Sequence, residues 1–270
     1  MTYEDIRNDK EFEKWFDYLP NDTQYLRYAD DEPYLIAAGH KIFDVYQSFC
    51  FARVSVLNAN ANNFGVLCGS SVKDRLFIKS YFLINAILRY AICLDISWQV
   101  VWAYIQPSSL EYLLEQKYKE MEKSCTRDSV KEQLNCIISL NGKDIQKAQK
   151  ILKVVTDFDK DKNTKELRKI YNKIKHQGAI HIEGLGENFD SLEFSINGKK
   201  IPMLHQDSYK ISEIEKILFE YHHKFEGYMN TLIEVIIPED YLNSEVKLSK
   251  VLGNMQKITT IGDKIPNKDI

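Results

Sequence analysis

The sequence predicts a mainly α-helical fold, a multi-helix bundle with two long antiparallel helices and one small β-hairpin. Apolar residues recur at helical spacing along most of the chain, whereas a single segment alternates with the two-residue period of a strand. The 16 tyrosines and 13 phenylalanines supply large side chains for a core. No Pro/Gly/Ser-rich linker divides the 270 residues, so one large helical domain with additions is the simplest prediction.

The predicted chain begins with an acidic, aromatic N-terminal arm, residues 1–34. Ten acidic side chains stand against four basic ones within residues 1–35. The helical bundle then spans residues 35–238, and a C-terminal helix and tail occupy residues 239–270.

Two long helices are predicted to form the centre of the bundle. The first runs from Leu35 to Leu57, and the Asn-rich stretch NANANNFG ends it. The second runs from Lys73 to Ile105 and is strongly hydrophobic. Lys79, Arg89 and Asp95 interrupt it, so it has no run of about 18 uncharged residues that would span a bilayer. We therefore predict a buried central helix.

Shorter helical patterns follow, most of them begun by a serine or an Asn-Gly turn. The predicted hairpin lies at about residues 190–204, because apolar residues alternate there around Asn197-Gly198, a favoured two-residue turn. The other predicted helices span Ser109–Lys123, Ser129–Leu140, Lys143–Val155 and Thr164–Gln177, and a last one runs from Ser208 or Ser212 to Ile236.

Cysteine usage indicates a reducing compartment. The five cysteines form no CxxC pair and leave an odd thiol, and the first thirty residues lack an apolar signal-peptide run. These features favour the cytoplasm.

One acidic stretch, DFDKDKN, begins like a calcium-binding loop. Lys162 occupies the position that needs glycine, however, and Arg168 occupies the position of the bidentate glutamate. Asn163 with Glu166 three residues later instead predicts a capping box at a helix N-terminus. This segment is therefore interpreted as structural.

The late helix contains a second metal-like pattern. Glu220 and His223 have the Glu-x-x-His spacing of di-iron bundles, but the second copy and the two further glutamates of such a site are missing. His222 and His223 differ by about 100° around a helix, so they are predicted to be surface or partly buried residues that do not share an ion. We predict neither a metal nor another cofactor.

The stretch YNKIKHQGAIH, residues Tyr171–His181, carries the candidate chemistry. It ends a predicted amphipathic helix, Thr164–Gln177, that Gly178 closes. Successive helical residues turn by about 100°, so residues three or four positions apart share a face. The apolar stripe consists of Leu167, Ile170 and Ile174, and the polar ridge consists of Lys165, Lys169, Asn172 and His176.

The polar ridge has a structural and a functional interpretation. Residues 143–175 carry eleven basic against five acidic side chains, and a local basic surface attracts phosphates, although the net charge of −3 does not by itself indicate nucleic-acid binding. A solvated helix face would show the same pattern, with His176 capping the last carbonyl groups. An accessible imidazole beside an amide and lysines would also suit a general base.

The helical arrangement and the ending RKIYNKIKHQG resemble the HEPN family (higher eukaryotes and prokaryotes nucleotide-binding domain). The family motif is an arginine, a polar residue that is often asparagine, three further residues and a histidine. Asn172 and His176 match the polar and histidine positions, and the following Gly178 is also similar. Tyr171 stands where the family has arginine. The resemblance covers residues 35–180.

The resemblance implies an RNA-binding protein, a homodimer and metal-independent endoribonuclease, in a bacterial defence or toxin context. His176 would remove the proton from a ribose 2′-OH, and Asn172 would orient the phosphate or the imidazole. Independently of the resemblance, we predict that Arg168 or Lys169, one turn or less upstream, substitutes for the motif arginine. The implied phosphate-binding residues are Arg168, Lys169, Lys173 and Lys165.

Two other functions stay open at the level of the sequence. Tyr171 at the arginine position favours a HEPN-like module that has lost catalysis and serves in dimerisation or in binding a partner protein. The many aromatic residues would also suit a helical protein that binds a small molecule, because packing aromatics and pocket aromatics look alike in a sequence.

Overall fold

A computed structural model describes residues 2–65, 69, 71–106, 110–140, 144–188, 193–202 and 206–243. It confirms the mainly helical class. Among the described residues, 3-10 helices lie at Glu11–Tyr18 and Leu110–Leu113. The α-helices are α1 (Tyr3–Asn8), α2 (Asp22–Tyr28), α3 (Pro33–Ala59), α4 (Val72–Ile105), α5 (Glu115–Ser124), α6 (Arg127–Ser139), α7 (Ile145–Lys160), α8 (Lys162–Gln177) and α9 (Ile211–Ile236).

The two long helices start where local capping allows. α3 begins at Pro33, whose fixed φ suits the first turn of a helix. α4 begins beside Ser71, which forms a capping box with Asp74. The Ser71 Oγ accepts from the backbone N–H of Asp74 at 3.1 Å, and the Ser71 backbone N–H donates to the Asp74 carboxylate at 3.2 Å.

The strands form two small pairs. β1 (His181–Ile182) pairs in parallel with β4 (Ser208–Tyr209), directly before α9. β2 (Glu193–Ile196) and β3 (Lys199–Pro202) pair antiparallel on either side of Asn197-Gly198. Both turn residues have positive φ, 51° and 75°, a conformation that asparagine and glycine tolerate best.

Parts of several sequence predictions lie outside the described residues, among them the predicted helix starts at Ser109 and at Asn141-Gly142. Of the predicted hairpin region, residues 190–192 and 203–204 are not described. Of the predicted C-terminal helix and tail, residues 239–242 form a turn, and residues 244–270 lie outside the described part.

The chain divides into two compact units, each built from three segments. The first unit comprises Met1–Glu11, Gln47–Leu94 and Val155–Tyr228. The second unit comprises Phe12–Tyr46, Asp95–Val154 and Met229–Ile270.

Aromatic side chains fill the core of the first unit. Tyr90, Tyr221 and Phe225 are fully buried. The Tyr221 ring lies 5.4 Å from that of Tyr90 and 5.7 Å from that of Phe158, centroid to centroid. Phe158 also stacks on Tyr228 at 4.2 Å. These contacts join α4, α7 and α9 within this unit.

The core of the second unit includes part of the predicted N-terminal arm. Trp15 is fully buried and donates from Nε1 to the Asn230 side-chain oxygen at 2.7 Å. Gly39 allows a close approach in α3, because a Cβ there would lie 2.7 Å from the Tyr18 carbonyl oxygen and would also collide with the Tyr241 hydroxyl. The later part of the arm is therefore integral to this core.

α4 is, among the described helices, the one long and apolar enough to cross a membrane by length and composition. The core helix of a protein folded in water passes the same test. Leu83, Ile87, Tyr90 and Leu94 of α4 are fully buried and follow one another at helical spacing. This pattern is typical of a core helix.

Candidate functional site

Asp161 fixes the first turn of α8, the helix that carries the polar ridge. Its Oδ1 accepts hydrogen bonds from the backbone N–H groups of Asn163 and Thr164 at 2.9 and 3.1 Å, so Asp161 is the N-cap. Its Oδ2 pairs with Lys224 Nζ of α9 at 2.7 Å. The carboxylate therefore both caps α8 and anchors it to α9.

The predicted capping box of Asn163 and Glu166 is wrong. Asn163 is buried in the first turn, where its side-chain amide donates to the Ile217 carbonyl of α9 at 2.9 Å. Glu166 instead lies near Lys169, with 3.6 Å between Oε1 and Nζ. Tertiary contact with α9 thus decides which polar residue caps α8.

The two faces of α8 have different surroundings. Leu167 and Ile170 are fully buried, and Ile174 is partly buried. Gly178 closes the helix with φ of 97°. The four ridge residues, Lys165, Lys169, Asn172 and His176, are all exposed. The structure therefore brings an imidazole, an amide and two ammonium groups to one solvent-facing side.

The remaining candidate residues are less accessible. Arg168 and Lys173 are partly exposed, and Lys173 forms an ion pair with Asp207. Tyr171, at the motif arginine position, is partly exposed, and the Lys175 ammonium lies 5.7 Å from the centre of its ring. Lys173 and Lys175, two lysines that could otherwise bind a phosphate, are therefore already engaged in contacts within the protein.

The charge pattern of α8 is not explained by helix stability alone. The helix has six lysine or arginine side chains and one acidic side chain. Lys175 lies near the C-terminus, where the helix dipole favours cations, but Lys162 and Lys165 lie near the N-terminus, where the dipole disfavours them. The Asp161 carboxylate already accepts from the first N–H groups of the helix, so an anion beside this end would be attracted by the lysines.

A second polar cluster lies in the first unit around His222 of α9. The His222 side chain is fully buried, and the Phe49 ring stacks on it at 4.6 Å. Its Nδ1 lies 2.6 Å from the Tyr90 hydroxyl, and its Nε2 lies 2.9 Å from Asp9 Oδ2. The imidazole thus links α4 to the residue that follows α1.

The protonation states in this chain of contacts follow from the donors available. The Asp9 carboxylate can only accept, so His222 Nε2 carries a hydrogen and Nδ1 accepts from the Tyr90 hydroxyl. Burial lowers the pKa of His222, opposed by its bond to Asp9, and burial raises the pKa of Tyr90. Burial alone would raise the pKa of Asp9, but hydrogen bonds from His222 and the Glu11 backbone lower it to about 2.

His223 and Glu226 extend this cluster towards solvent. His223 Nδ1 lies 3.7 Å from Asp9 Oδ2 and 3.5 Å from Glu226 Oε2. The side chains of Asp9 and Glu226 are 5% and 10% exposed, whereas that of His223 is 43% exposed. We refer to Asp9, His223 and Glu226 as the carboxylate–histidine cluster.

The sequence prediction for the two histidines is wrong for His222, which is completely buried. The two rings contact the same group, because Asp9 Oδ2 lies within 4 Å of a nitrogen of each. The sequence pattern that could have indicated this cluster is His223 followed three residues later by Glu226. The pattern considered above, Glu220 with His223, is a different pair. No local signal pointed to Asp9, which is 213 residues from His222.

The second unit contains a pocket of about 360 Å³, near the lower end for small-molecule sites. Lys41 is buried there and pairs with Asp44 at 3.1 Å and with Glu122. Its positive charge is therefore already neutralised. The pocket is lined by Tyr25, His40, Lys41, Asp44, Leu113, Glu115, Tyr118 and Glu122.

Comparisons of the chain with protein-family models, with curated proteins and with solved structures each found no match. The exposed imidazole, amide and ammonium groups of the polar ridge are the observation from which a function can be proposed.

Proposed function

We propose that this protein is a HEPN-like RNA-binding protein and a metal-independent endoribonuclease. The observation that carries the proposal is the exposure of the whole polar ridge along α8. From Lys165 to His176 the ridge covers about 16 Å of helix, enough to contact a short stretch of single-stranded RNA. Lysines at the N-terminal end of the helix add to the attraction for phosphate.

The proposed chemistry uses the residues of the ridge in separate roles. His176 removes the proton from a ribose 2′-OH, and that oxygen attacks the adjacent phosphorus. The bond from phosphorus to the 5′-oxygen breaks, the 5′-oxygen takes a proton from water, and the protonated His176 returns its proton to the resulting hydroxide. The products are a 2′,3′-cyclic phosphate and a 5′-hydroxyl. Asn172 orients the phosphate, while Lys165 and Lys169 stabilise the charge that develops on it.

The proposal includes a multi-helix bundle around two long antiparallel helices, α3 and α4, and a homodimer in which the α8 ridges of the two copies form one basic groove. It also includes a cytoplasmic location and a role in bacterial defence or as a toxin. In the described residues, the free thiols of Cys50, Cys93, Cys125 and Cys136 fit a reducing compartment.

RNA affinity tests the ridge directly. Lys165→Gln combined with Lys169→Gln is expected to weaken binding of a short single-stranded RNA at low salt. Because each phosphate contact on a single strand contributes about 0.7 to the salt dependence, the slope of log affinity against log salt should decrease by about 1.4. Fluorescence anisotropy of a labelled RNA at several salt concentrations measures both quantities.

Lys117→Gln with Lys119→Gln is the matched control, because these exposed lysines of α5 carry the same charge. The control should retain the wild-type affinity and slope. An equal loss of affinity in both double variants would mean that overall charge, and not the ridge, attracts RNA.

Cleavage tests the proposed base. In EDTA, His176→Ala is expected to cleave RNA about 10²–10⁴-fold more slowly than the wild type, the usual contribution of a general base. Gln177→Ala removes the exposed neighbour of His176 and should cleave normally. Mass spectrometry of the products should detect the cyclic phosphate. Undiminished cleavage by His176→Ala would remove this residue from the mechanism.

A second candidate function is a HEPN-like module that has lost catalysis and serves in dimerisation or in binding a partner protein. Two observations favour it: Tyr171 replaces the motif arginine, and Lys173 is paired with Asp207. Wild-type protein that binds RNA through the ridge and leaves it intact would indicate this module.

A further inference from the structure

The carboxylate–histidine cluster has the composition of a transition-metal site. Asp9 reaches it from the end of α1, and His223 and Glu226 reach it from consecutive turns of α9. One imidazole nitrogen and two carboxylate oxygens lie within 4.8 Å of one another. Imidazole and carboxylate are ligands that zinc accepts in proteins.

The separations of the ligand atoms suit a tetrahedral ion. Bonds of about 2.0–2.1 Å to zinc place neighbouring ligand atoms of a tetrahedron about 3.3–3.4 Å apart. The observed separations from His223 Nδ1 are 3.5 Å to Glu226 and 3.7 Å to Asp9. Two of the three separations therefore lie within a few tenths of an ångström of the tetrahedral value, and the third, between the two carboxylates, is no more than 4.8 Å.

Burial makes a cation favourable at this position. The side chains of Asp9 and Glu226 are almost completely buried and face the same imidazole. Two carboxylates in such surroundings repel each other unless a proton or a cation lies between them. A hydrogen bond links Glu226 to Asp9 in the metal-free protein, which requires a proton on one of the two groups, and a bound ion would take the place of that proton. A divalent ion would neutralise both carboxylates.

The groups behind Asp9 hold it in a fixed orientation. His222 donates to Asp9 Oδ2 at 2.9 Å, and the Glu11 backbone N–H donates to Oδ1 at 3.1 Å. His222 is itself fixed by Tyr90. Hydrogen-bonded outer groups of this kind orient the ligands of metal sites. On the opposite side His223 is partly exposed, which leaves a route for an ion and a water molecule.

We propose that Asp9, His223 and Glu226 bind one zinc ion, with water as the fourth ligand. Three protein ligands and an open position are the arrangement of zinc sites that bind or activate a further molecule. This site is separate from the polar ridge, whose proposed chemistry needs no metal.

Zinc titration tests the site. Full-length protein stripped with chelator and dialysed is titrated with zinc chloride in a calorimeter. The wild type is expected to bind one equivalent of zinc at this site. In His223→Ala and in Glu226→Gln the affinity of that equivalent should fall by more than the about 10–100-fold that outer-group substitutions cost. Glu220→Gln is the matched control, because Glu220 lies on the same helix six residues before Glu226 and is not part of the cluster. It should bind zinc as the wild type does.

Cobalt provides a spectroscopic check that excludes the cysteines. Cobalt-loaded wild type should show visible absorption without the near-ultraviolet band of a thiolate ligand, and both variants should lose the visible bands. Circular dichroism establishes that the variants are folded. Equal zinc binding by wild type and His223→Ala, or the absence of zinc binding by the wild type, would overturn the proposal.

Discussion

His222→Ala is expected to lower the free energy of unfolding by about 3–5 kcal/mol. The substitution removes a fully buried ring that stacks on Phe49. It also deprives the Tyr90 hydroxyl and the Asp9 carboxylate of a hydrogen-bond partner, and a buried polar group without its partner costs about 1–3 kcal/mol. Urea denaturation followed by circular dichroism, in EDTA to exclude any bound metal, measures the change.

His223→Ala is the control for this effect. Its side chain is 43% exposed and contacts the same Asp9 carboxylate, so its loss should cost less than about 1 kcal/mol in EDTA. Equal destabilisation by the two substitutions would contradict a special role for the buried ring.

Tyr171→Arg is expected to increase RNA cleavage in EDTA by about 10²-fold or more. The proposed function places a phosphate beside Asn172 and His176, and one well-placed donor to developing charge contributes about 10²–10³-fold. Tyr171 occupies the motif position of the family arginine and is partly exposed, so a longer cationic side chain can reach solvent there. Initial rates on a labelled RNA measure the gain.

Two further variants separate charge from geometry. Tyr171→Lys adds the charge without the planar fork of a guanidinium and should gain less. Adding His176→Ala to Tyr171→Arg should abolish the gain, because the base would be missing. A Tyr171→Arg protein that binds RNA more tightly yet cleaves it no faster would contradict the proposed mechanism.

α8 illustrates what the sequence alone can predict. Its apolar stripe and its end at Gly178 follow from local periodicity and from the backbone freedom of glycine. The N-cap residue of α8 could not be predicted from the local sequence, because Asp161 and Asn163 both suit that position. The packing of Asn163 against the Ile217 carbonyl, a contact 54 residues away, decides between them.

The carboxylate–histidine cluster illustrates what the sequence cannot show. His222 and His223 are adjacent in sequence, yet one is fully buried and the other is partly exposed. That difference depends on Phe49, Tyr90 and Asp9, which come from distant parts of the chain. Periodicity locates an apolar face on a helix, but it does not identify the polar residue that will be placed against it.

The pairing of Asp9 with His222 constrains the order of folding during synthesis. The two residues are 213 positions apart, and ribosomes add about 5–20 residues per second. The first α-helix therefore waits about 10–40 seconds for α9 to emerge. During that interval Tyr3, whose ring lies 4.8 Å from that of Phe219 of α9 in the folded protein, is open to chaperones and to other nascent chains.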